Sequence, residues 1–325
     1  MTMICPIIDP VPVELIEAEL TPDHLLRKTN KADNEIYVVD YKSAPNTMRE
    51  IGRLREIAFR TSGGGTGKEC DIDQYDRMDP PCKQLIVWDP DSRQILGGYR
   101  YILGKDIKLI DGRPRIATSH MFDFSPKFVR EYLPQTIELG RSFVRLEYQS
   151  SRAGAKAIFA LDNLWDGLGA LTVEHPEIHY LFGKFTMYPS YDRMCRDLLL
   201  YFLNKHFPDT EGLAQPYQPI VPSDHDGLFA RMLPYSDFKE DYKILNSAIR
   251  QRGINIPPLV NAYMSLSPTL KIFGTAINDE FGNVEETGIF LTISEVYDEK
   301  KDRHINSYHP TDSFDEDAGD YPTNS

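Results

Sequence analysis

ELGRSFVRLEYQSSRAGAKA, residues 138–157, is the stretch whose reading decides the fold. With Thr136 and Ile137 ahead of it, its first half alternates as a strand. A short glycine-containing turn then opens a helix over 154–168, carrying Ile158, Phe159, Leu161, Leu164, Trp165 and Leu168. The next alternating run, IHYLFGKFTM (178–187), is a second strand. Two strands joined through a helix form a parallel pair with a right-handed crossover. Such neighbours separate easily at one end and leave a slot. The turn itself has the makings of an anion site, because the first N–H groups of a helix are unpaired and the dipole draws phosphate. Arg152 and Lys156 would strengthen it. An ordinary strand-to-helix turn reads the same way, so the turn alone leaves both meanings open.

Working upstream, IYVVDY (36–41) alternates as a strand, and a basic amphipathic helix is predicted over 47–61, with Met48, Ile51, Leu54, Ile57 and Ala58 on one face. SGGGTGK (62–68) stops it, and ECDIDQYDRMD (69–79) is a loop dense in carboxylates. QLIVWD (84–89) and QILGGYRYIL (94–103) read as an antiparallel pair. Asp111-Gly112 suits the type I′ turn of a second hairpin. Downstream come a helix over 191–206 and a proline-broken stretch with one helix at 237–252. Strands follow at 269–278 and 287–296. The predicted class is α/β (α+β): a mixed, mainly antiparallel twisted sheet with helices on both faces, a splayed central parallel pair and a helical cap insertion. The expected divisions are an irregular arm at 1–34, a catalytic domain at 35–206 and a cap at 207–265. Sheet-extending strands fill 266–300, and an acidic disordered tail 301–325.

The 325 residues carry a net charge of −13. Nucleic acid, which needs a basic footprint, is therefore not an expected partner. The N-terminus lacks a basic region and is broken by Pro6, Pro10 and Pro12, so it does not read as a secretory signal. Cys5, Cys70, Cys82 and Cys195 show no C-x-x-C spacing, which fits reduced thiols in a cytoplasm. His120, His175, His179 and His225 have no ligand spacing, so no metal is expected. Basic residues gather locally at Arg49, Arg53, Arg55, Arg60 and Lys68, and again at Arg141, Arg145, Arg152 and Lys156. Those clusters are either solvated helix faces or a docking area for an anionic partner.

Gln149, Arg152 and Gly154 occupy slots of the Q/R-x-x-G-x-G/A loop of GNAT acyltransferases, with Arg152 where the first glycine is expected. E-C-D-x-D-x-Y-D (69–76), G-G-Y-R (97–100), F-D-F-S-P (122–126) and E-L-G-R-S-F-V (138–144) complete an ordered set. So arranged, the chain resembles the bacterial N-acyltransferases that make ornithine and glycine lipids, once labelled haemolysin-like. It is also similar to acyl-homoserine-lactone synthases. The resemblance spans roughly residues 45–205 and implies a GNAT-like fold and an acyl donor delivered by acyl carrier protein. A side chain at Arg152 would crowd the pyrophosphate of coenzyme A yet could contact the single phosphodiester of carrier-bound phosphopantetheine. Acyl-coenzyme A remains the other possible donor. No permanently bound cofactor is implied.

Thioester aminolysis needs a positioned neutral amine, an oxyanion site and a proton acceptor. Glu138 is the candidate base, on the strand that ends at the turn. Backbone N–H groups near Phe143 and Val144 are the candidate oxyanion donors, and Tyr188 or Tyr191 could protonate the leaving thiolate. Phe143, Val144, Gln149, Arg152, Gly154 and Lys156 are assigned to the donor. Arg100 and Arg141, on neighbouring strands, need partners among Asp71, Asp73, Asp76 and Glu138, since a buried arginine is costly unless paired. By resemblance, Asp71, Asp73, Asp76 and Arg100 shape the acceptor pocket, and Arg141 joins the catalytic set.

The expected partners are an acidic acyl carrier protein, docked by Arg53, Arg55, Arg60, Arg145, Arg152 and Lys156, and a small amino acid, glycine or ornithine, with glycine favoured. The acyl group could bear a 3-hydroxyl. Leu228, Phe229, Met232 and Leu233 of the cap would cover its tail. Membrane contact, at the inner membrane, would be peripheral and through the product. Two other readings stay open. An acyl-homoserine-lactone-like synthase would need an adenine pocket, and a membrane-active, haemolysin-like protein would need a further basic amphipathic helix.

Overall fold

The computed structural model describes residues 4–149 and 155–310. The chain runs through α1 (Val13–Glu17), β1 (Leu25–Lys28), β2 (Glu35–Val39), α2 (Pro45–Thr61), α3 (Gln74–Arg77), β3 (Lys83–Asp89), β4 (Gln94–Leu103), β5 (Leu109–Ile110), β6 (Arg113–Pro114) and β7 (Phe122–Phe124). It continues through β8 (Thr136–Val144), α4 (Ala155–Glu174), β9 (Tyr180–Met187), α5 (Arg193–His206), β10 (Ala214–Pro216), α6 (Leu228–Met232), α7 (Phe238–Gln251), α8 (Pro258–Met264), β11 (Lys271–Asn278), β12 (Val284–Thr292) and α9 (Asp298–His304).

Eight strands make one sheet in the order β1-β2-β3-β4-β8-β9-β12-β11. Every neighbouring pair is antiparallel except β8 and β9 at the centre. That parallel ladder covers only Thr136↔Tyr180 to Glu138↔Phe182. Past those residues the two strands part, and the slot expected between them opens.

Both faces of the sheet are covered. Met48, Ile51, Leu54 and Ala58 of α2 pack with Ile86, Trp88 and Phe143. Leu164, Leu168 and Leu171 of α4 pack on the other face with Leu85, Val87, Leu96 and Tyr101. The spacing of those residues explains each helix: three- and four-residue steps stack side chains on one stripe, which an alternating strand face can bury. On the α4 side, α5, α7 and α8 add a second core with Phe185, Met187, Ile289 and Leu291. This is a GNAT-like mixed α/β fold.

Several local expectations change. The arm read as irregular holds α1 and β1, and β1 pairs with β2 at the sheet edge. The alternation of LLRK is too short to announce a strand; pairing to β2 makes it one. The carboxylate loop contains α3, begun by a reciprocal capping box in which Asp73 accepts from the Tyr75 and Asp76 N–H groups. The first residues of the supposed tail form α9, tied to α4 by His304 Nδ1, 2.8 Å from Asp166 Oδ1. Residues 311–325 lie outside the described residues, as do Arg152 and Gly154.

Candidate active site

Strand β8 carries a bulge. Gly98 faces Phe143 and Arg100 faces Gly140, so Tyr99 stands opposite two residues, Arg141 and Ser142. Arg141 takes φ +48° there. Two glycines make room: a Cβ on Gly97 would sit 2.6 Å from the Phe143 carbonyl oxygen, and one on Gly98 would sit 2.8 Å from that of Leu85. The bulge breaks the alternation of β8. Ile137 and Leu139 pack toward α4, and Arg141 would follow them by simple alternation. Instead it emerges on the α2 face.

On that face it meets the acidic loop. Arg141 Nε lies 2.9 Å from Asp71 Oδ2, and its guanidinium rests over the Phe281 ring at 4.3 Å. Arg100 Nη1 donates to Asp73 Oδ2 at 2.7 Å and to Asp76 Oδ2 at 3.4 Å. Arg55, fully buried in α2, lies 3.5 Å from Asp76 Oδ1, and Gln84 donates to the same oxygen at 3.0 Å. Burial opposes the charge on Arg100, yet Asp76 and Asp73 outweigh it and hold its pKa well above the usual value. Burial would likewise raise the Asp73 carboxyl, but Arg100 and Arg141 hold it well below the usual carboxylate range. The expected pairing of the arginines thus runs through Asp71, Asp73 and Asp76. Glu138 is not one of their ion-pair partners.

A cavity of about 690 Å3 passes through the sheet where β8 and β9 part. On the α4 side its wall is apolar: Trp165, Leu168, Leu181, Leu266, Ile289 and Leu291. Toward α2 it is polar, with Arg141, Lys184, Glu286 and Tyr188 beside Phe59 and Phe281. Gly140 lines the slot, and a Cβ there would meet open space.

Among the residues singled out from the sequence, Arg141, Phe143, Val144, Gln149, Tyr188 and Tyr191 line this cavity. Gln149 Nε2 donates to the Val144 carbonyl at 2.6 Å and so anchors the end of the strand. Tyr191 donates its hydroxyl to the Asn255 carbonyl at 3.0 Å, and burial pushes its pKa up to about 12. Burial also raises Tyr188, against the Ser62 hydroxyl beside it. Asp71, Asp73, Asp76, Arg100 and Glu138 do not line the cavity; they are packed behind its wall. Burial raises the Glu138 carboxyl above the ordinary range, with Arg100 and Lys184 pulling the other way. Of Lys156 only the helical backbone is described.

Two assignments need correction. Arg53, Arg55 and Arg60 are not a free docking surface: Arg55 is wholly buried, while Arg53 and Arg60 are bound to Glu50 and Glu56. Their spacing on α2 was basic and amphipathic, but carboxylates one turn away consume the charge. The apolar wall contributed by the cap comes from Pro257, Pro258, Leu259 and Tyr263, not from Leu228, Phe229, Met232 and Leu233, which pack into the core with α5.

Lys184 and Glu286 were missed. A lysine between Gly183 and Phe185, inside an otherwise apolar strand, was the available signal. Among the described residues no helix is long and apolar enough to cross a membrane, and no group of His, Cys, Asp and Glu is placed to hold a metal ion.

A sheet slotted between central parallel strands, with a bulge beside the slot and a cavity through it, defines an acyltransferase of the GNAT type. A family profile described as an acetyltransferase (GNAT) domain matches residues 54–158. The glycine N(alpha)-acyltransferase of Bacteroides thetaiotaomicron is 61% identical over 308 residues, 94% of this chain and 91% of that protein. The protein of the same name from Phocaeicola vulgatus is 59% identical, covering 94% of each chain. The chain belongs to the family of these two glycine N(alpha)-acyltransferases. Among solved structures, the acyl-homoserine-lactone synthase LasI matches at TM-score 0.36 and 12% identity, over 82% of this chain and 93% of its own. The coenzyme-A-dependent acyl-homoserine-lactone synthase BjaI matches at 0.33 and 13%, over 82% and 88%.

Proposed function

We propose that the chain transfers a fatty acyl group from the thioester of acyl carrier protein to the amine of glycine, forming an N-acyl amino acid in the cytoplasm. The observation that carries this reading is the two-sided cavity. A long apolar arm on one face of the sheet and a charged chamber on the other meet at the slot, where a thioester carbonyl would sit between them. The names of the two close relatives support glycine over ornithine as acceptor.

In this reading the acyl tail lies against Trp165, Leu168 and Leu266, with pantetheine along the slot and Gln149 at its edge. The neutral amine attacks the carbonyl carbon from the α2 side, and backbone N–H near Phe143 and Val144 receives the oxyanion. The carbon–sulfur bond then breaks. Of the two protons the acceptor's ammonium loses, one goes to a carboxylate base and on to solvent, and the other ends on the leaving sulfur. Glu138 is assigned the base role from its place on β8, two residues before Gly140, and its raised pKa suits it. Tyr188 or Tyr191, protonated at neutral pH, would give that proton to the thiolate and take the amine's in its place. Asp71 and Asp73 shape the chamber by fixing Arg141, and Arg100 and Asp76 hold Asp73 in place. Arg152, Gly154 and Lys156 are assigned to the phosphodiester of the carrier's prosthetic group. A 3-hydroxyl on the acyl chain and peripheral contact of the product with the inner membrane belong to the same proposal.

The test is a purified assay with palmitoyl-carrier protein and palmitoyl-coenzyme A as donors, and glycine and ornithine as acceptors, read by mass spectrometry. N-acylglycine formed faster from the carrier supports the whole reading. Equal use of coenzyme A removes the carrier, and faster acylation of ornithine removes glycine. No N-acyl product from any pair overturns the reading.

A further inference from the structure

Lys184 projects from β9 and Glu286 from β12, on the same face of the sheet, and their side chains form an ion pair. Glu286 is completely buried, and the Lys184 side chain is only 9% exposed. Burial lowers the Lys184 pKa, and Glu286 opposes that shift. Taking two charges out of water costs more than an apolar pair of the same volume, so a pair in this position contributes little stability of its own. Its surroundings need no such pair for packing: Val284 and Phe290, on the same face of β12, are ordinary core residues. The distinguishing fact is location. Both side chains line the charged chamber of the cavity. Arg141 also reaches it, but Asp71 and Asp73 hold that guanidinium from behind. Among the described residues, Lys184 is the cation whose counter-charge faces the same space.

We propose that Lys184 and Glu286 are the receiving site for the acceptor amino acid, Lys184 taking its carboxylate and Glu286 its ammonium. This rests on the reading of the chain as an enzyme that acylates an amino-acid amine. An α-amino acid is itself a compact pair of opposite charges on adjacent carbons. Inserted between the two side chains, it replaces one ion pair by two of the same sense, with no net charge buried. The desolvation of both protein charges is already complete before it arrives, which favours a charged ligand over water. Thr186 Oγ1, 3.4 Å from Glu286 Oε1, orients the carboxylate that holds the amine. Held there, the nitrogen faces the slot where Gly140 leaves open space.

The experiment compares glycine with glycinamide, which keeps the amine and lacks the carboxylate, in the wild type, in Lys184→Met and in the double variant Lys184→Met/Glu286→Leu. A charge-assisted contact implies that the wild type prefers glycine by roughly 10–100-fold in kcat/KM, mostly through KM. Lys184→Met should erase that preference. If the single variant fails to fold because Glu286 is left unpaired, the double variant, with an apolar pair, carries the same comparison. A folded variant that keeps the wild-type ratio overturns the proposal, as does a wild type with no preference for glycine. If the wild type acylates neither amine, the acyl-transfer reading itself fails; if it acylates glycine and the ratio survives the substitutions, only this site fails.

Discussion

Arg141 Nε sits 2.9 Å from Asp71 Oδ2 because Arg141 takes φ +48° in the bulge of β8. A residue in regular alternation at that position would point toward α4. The left-handed backbone is costly for a side-chain-bearing residue, and the ion pair offsets it. Asp71→Asn should therefore destabilise the fold by on the order of 3 kcal/mol, since it leaves a largely buried guanidinium with the longer Asp73 contact as its remaining ion pair. Urea titration with an unchanged slope would show it as a lower midpoint. A loss under about 0.5 kcal/mol, no more than a neutral surface substitution, would mean the pair does not hold the bulge.

Two glycines on either side of the bulge should respond differently to the same substitution. Gly97→Ala places a methyl 2.6 Å from a backbone oxygen of the bulge, which has no easy way to retreat. We expect a loss of about 1–3 kcal/mol and a fall in kcat. Gly140→Ala meets open space, so stability should change by less than about 0.5 kcal/mol while the acceptor KM rises. Equal stability losses would show that the bulge is free to shift.

The Glu138 carboxyl, raised by burial, sets a pH test. A base works only when deprotonated, so kcat/KM should fall on acidification through a pKa above the ~4.3 of an ordinary glutamate. Glu138→Gln should remove that limb and slow the reaction by about 10²–10⁴-fold. Stability runs the other way. A carboxyl with a raised folded pKa contributes stability that is fully present below its unfolded value and lost as pH rises through the folded one. The wild type should thus lose stability relative to the variant as pH rises across that window. An unchanged rate profile in the variant would exclude Glu138 as base.

The apolar arm should set chain length. Leu259 is half-buried on its wall, at the first turn of α8. Leu259→Trp fills part of that arm and should shift preference toward shorter acyl donors, measured by competition between C10 and C16 thioesters. An unaltered ratio would place the tail elsewhere.

Much of the sheet was legible because its strands alternate and its helices repeat at 3.6 residues, and both signals are local. The run 94–103 matches β4 residue for residue, and the helix expected over 47–61 differs from α2 by two residues at its start. The arginine–aspartate network was legible in outline, because an arginine in a central strand needs a carboxylate and the acidic loop is rich in them. Which carboxylate takes which arginine was not, because the bulge that turns Arg141 toward Asp71 depends on the absence of side chains at Gly97 and Gly98 on the neighbouring strand. The basic stripe of α2 misled for a related reason. Composition counts the charge on Arg53 and Arg60, and only packing shows that Glu50 and Glu56 neutralise it.

By itself the sequence determined the strand-helix-strand order that makes β8 and β9 parallel neighbours, and hence the slot between them. Periodicity and crossover geometry suffice for that. Which charges face the slot was decided only by tertiary structure. Lys184 and Glu286 lie about a hundred positions apart, and their meeting depends on the register of β9 against β12. A register is a property of two strands together; neither one encodes it alone.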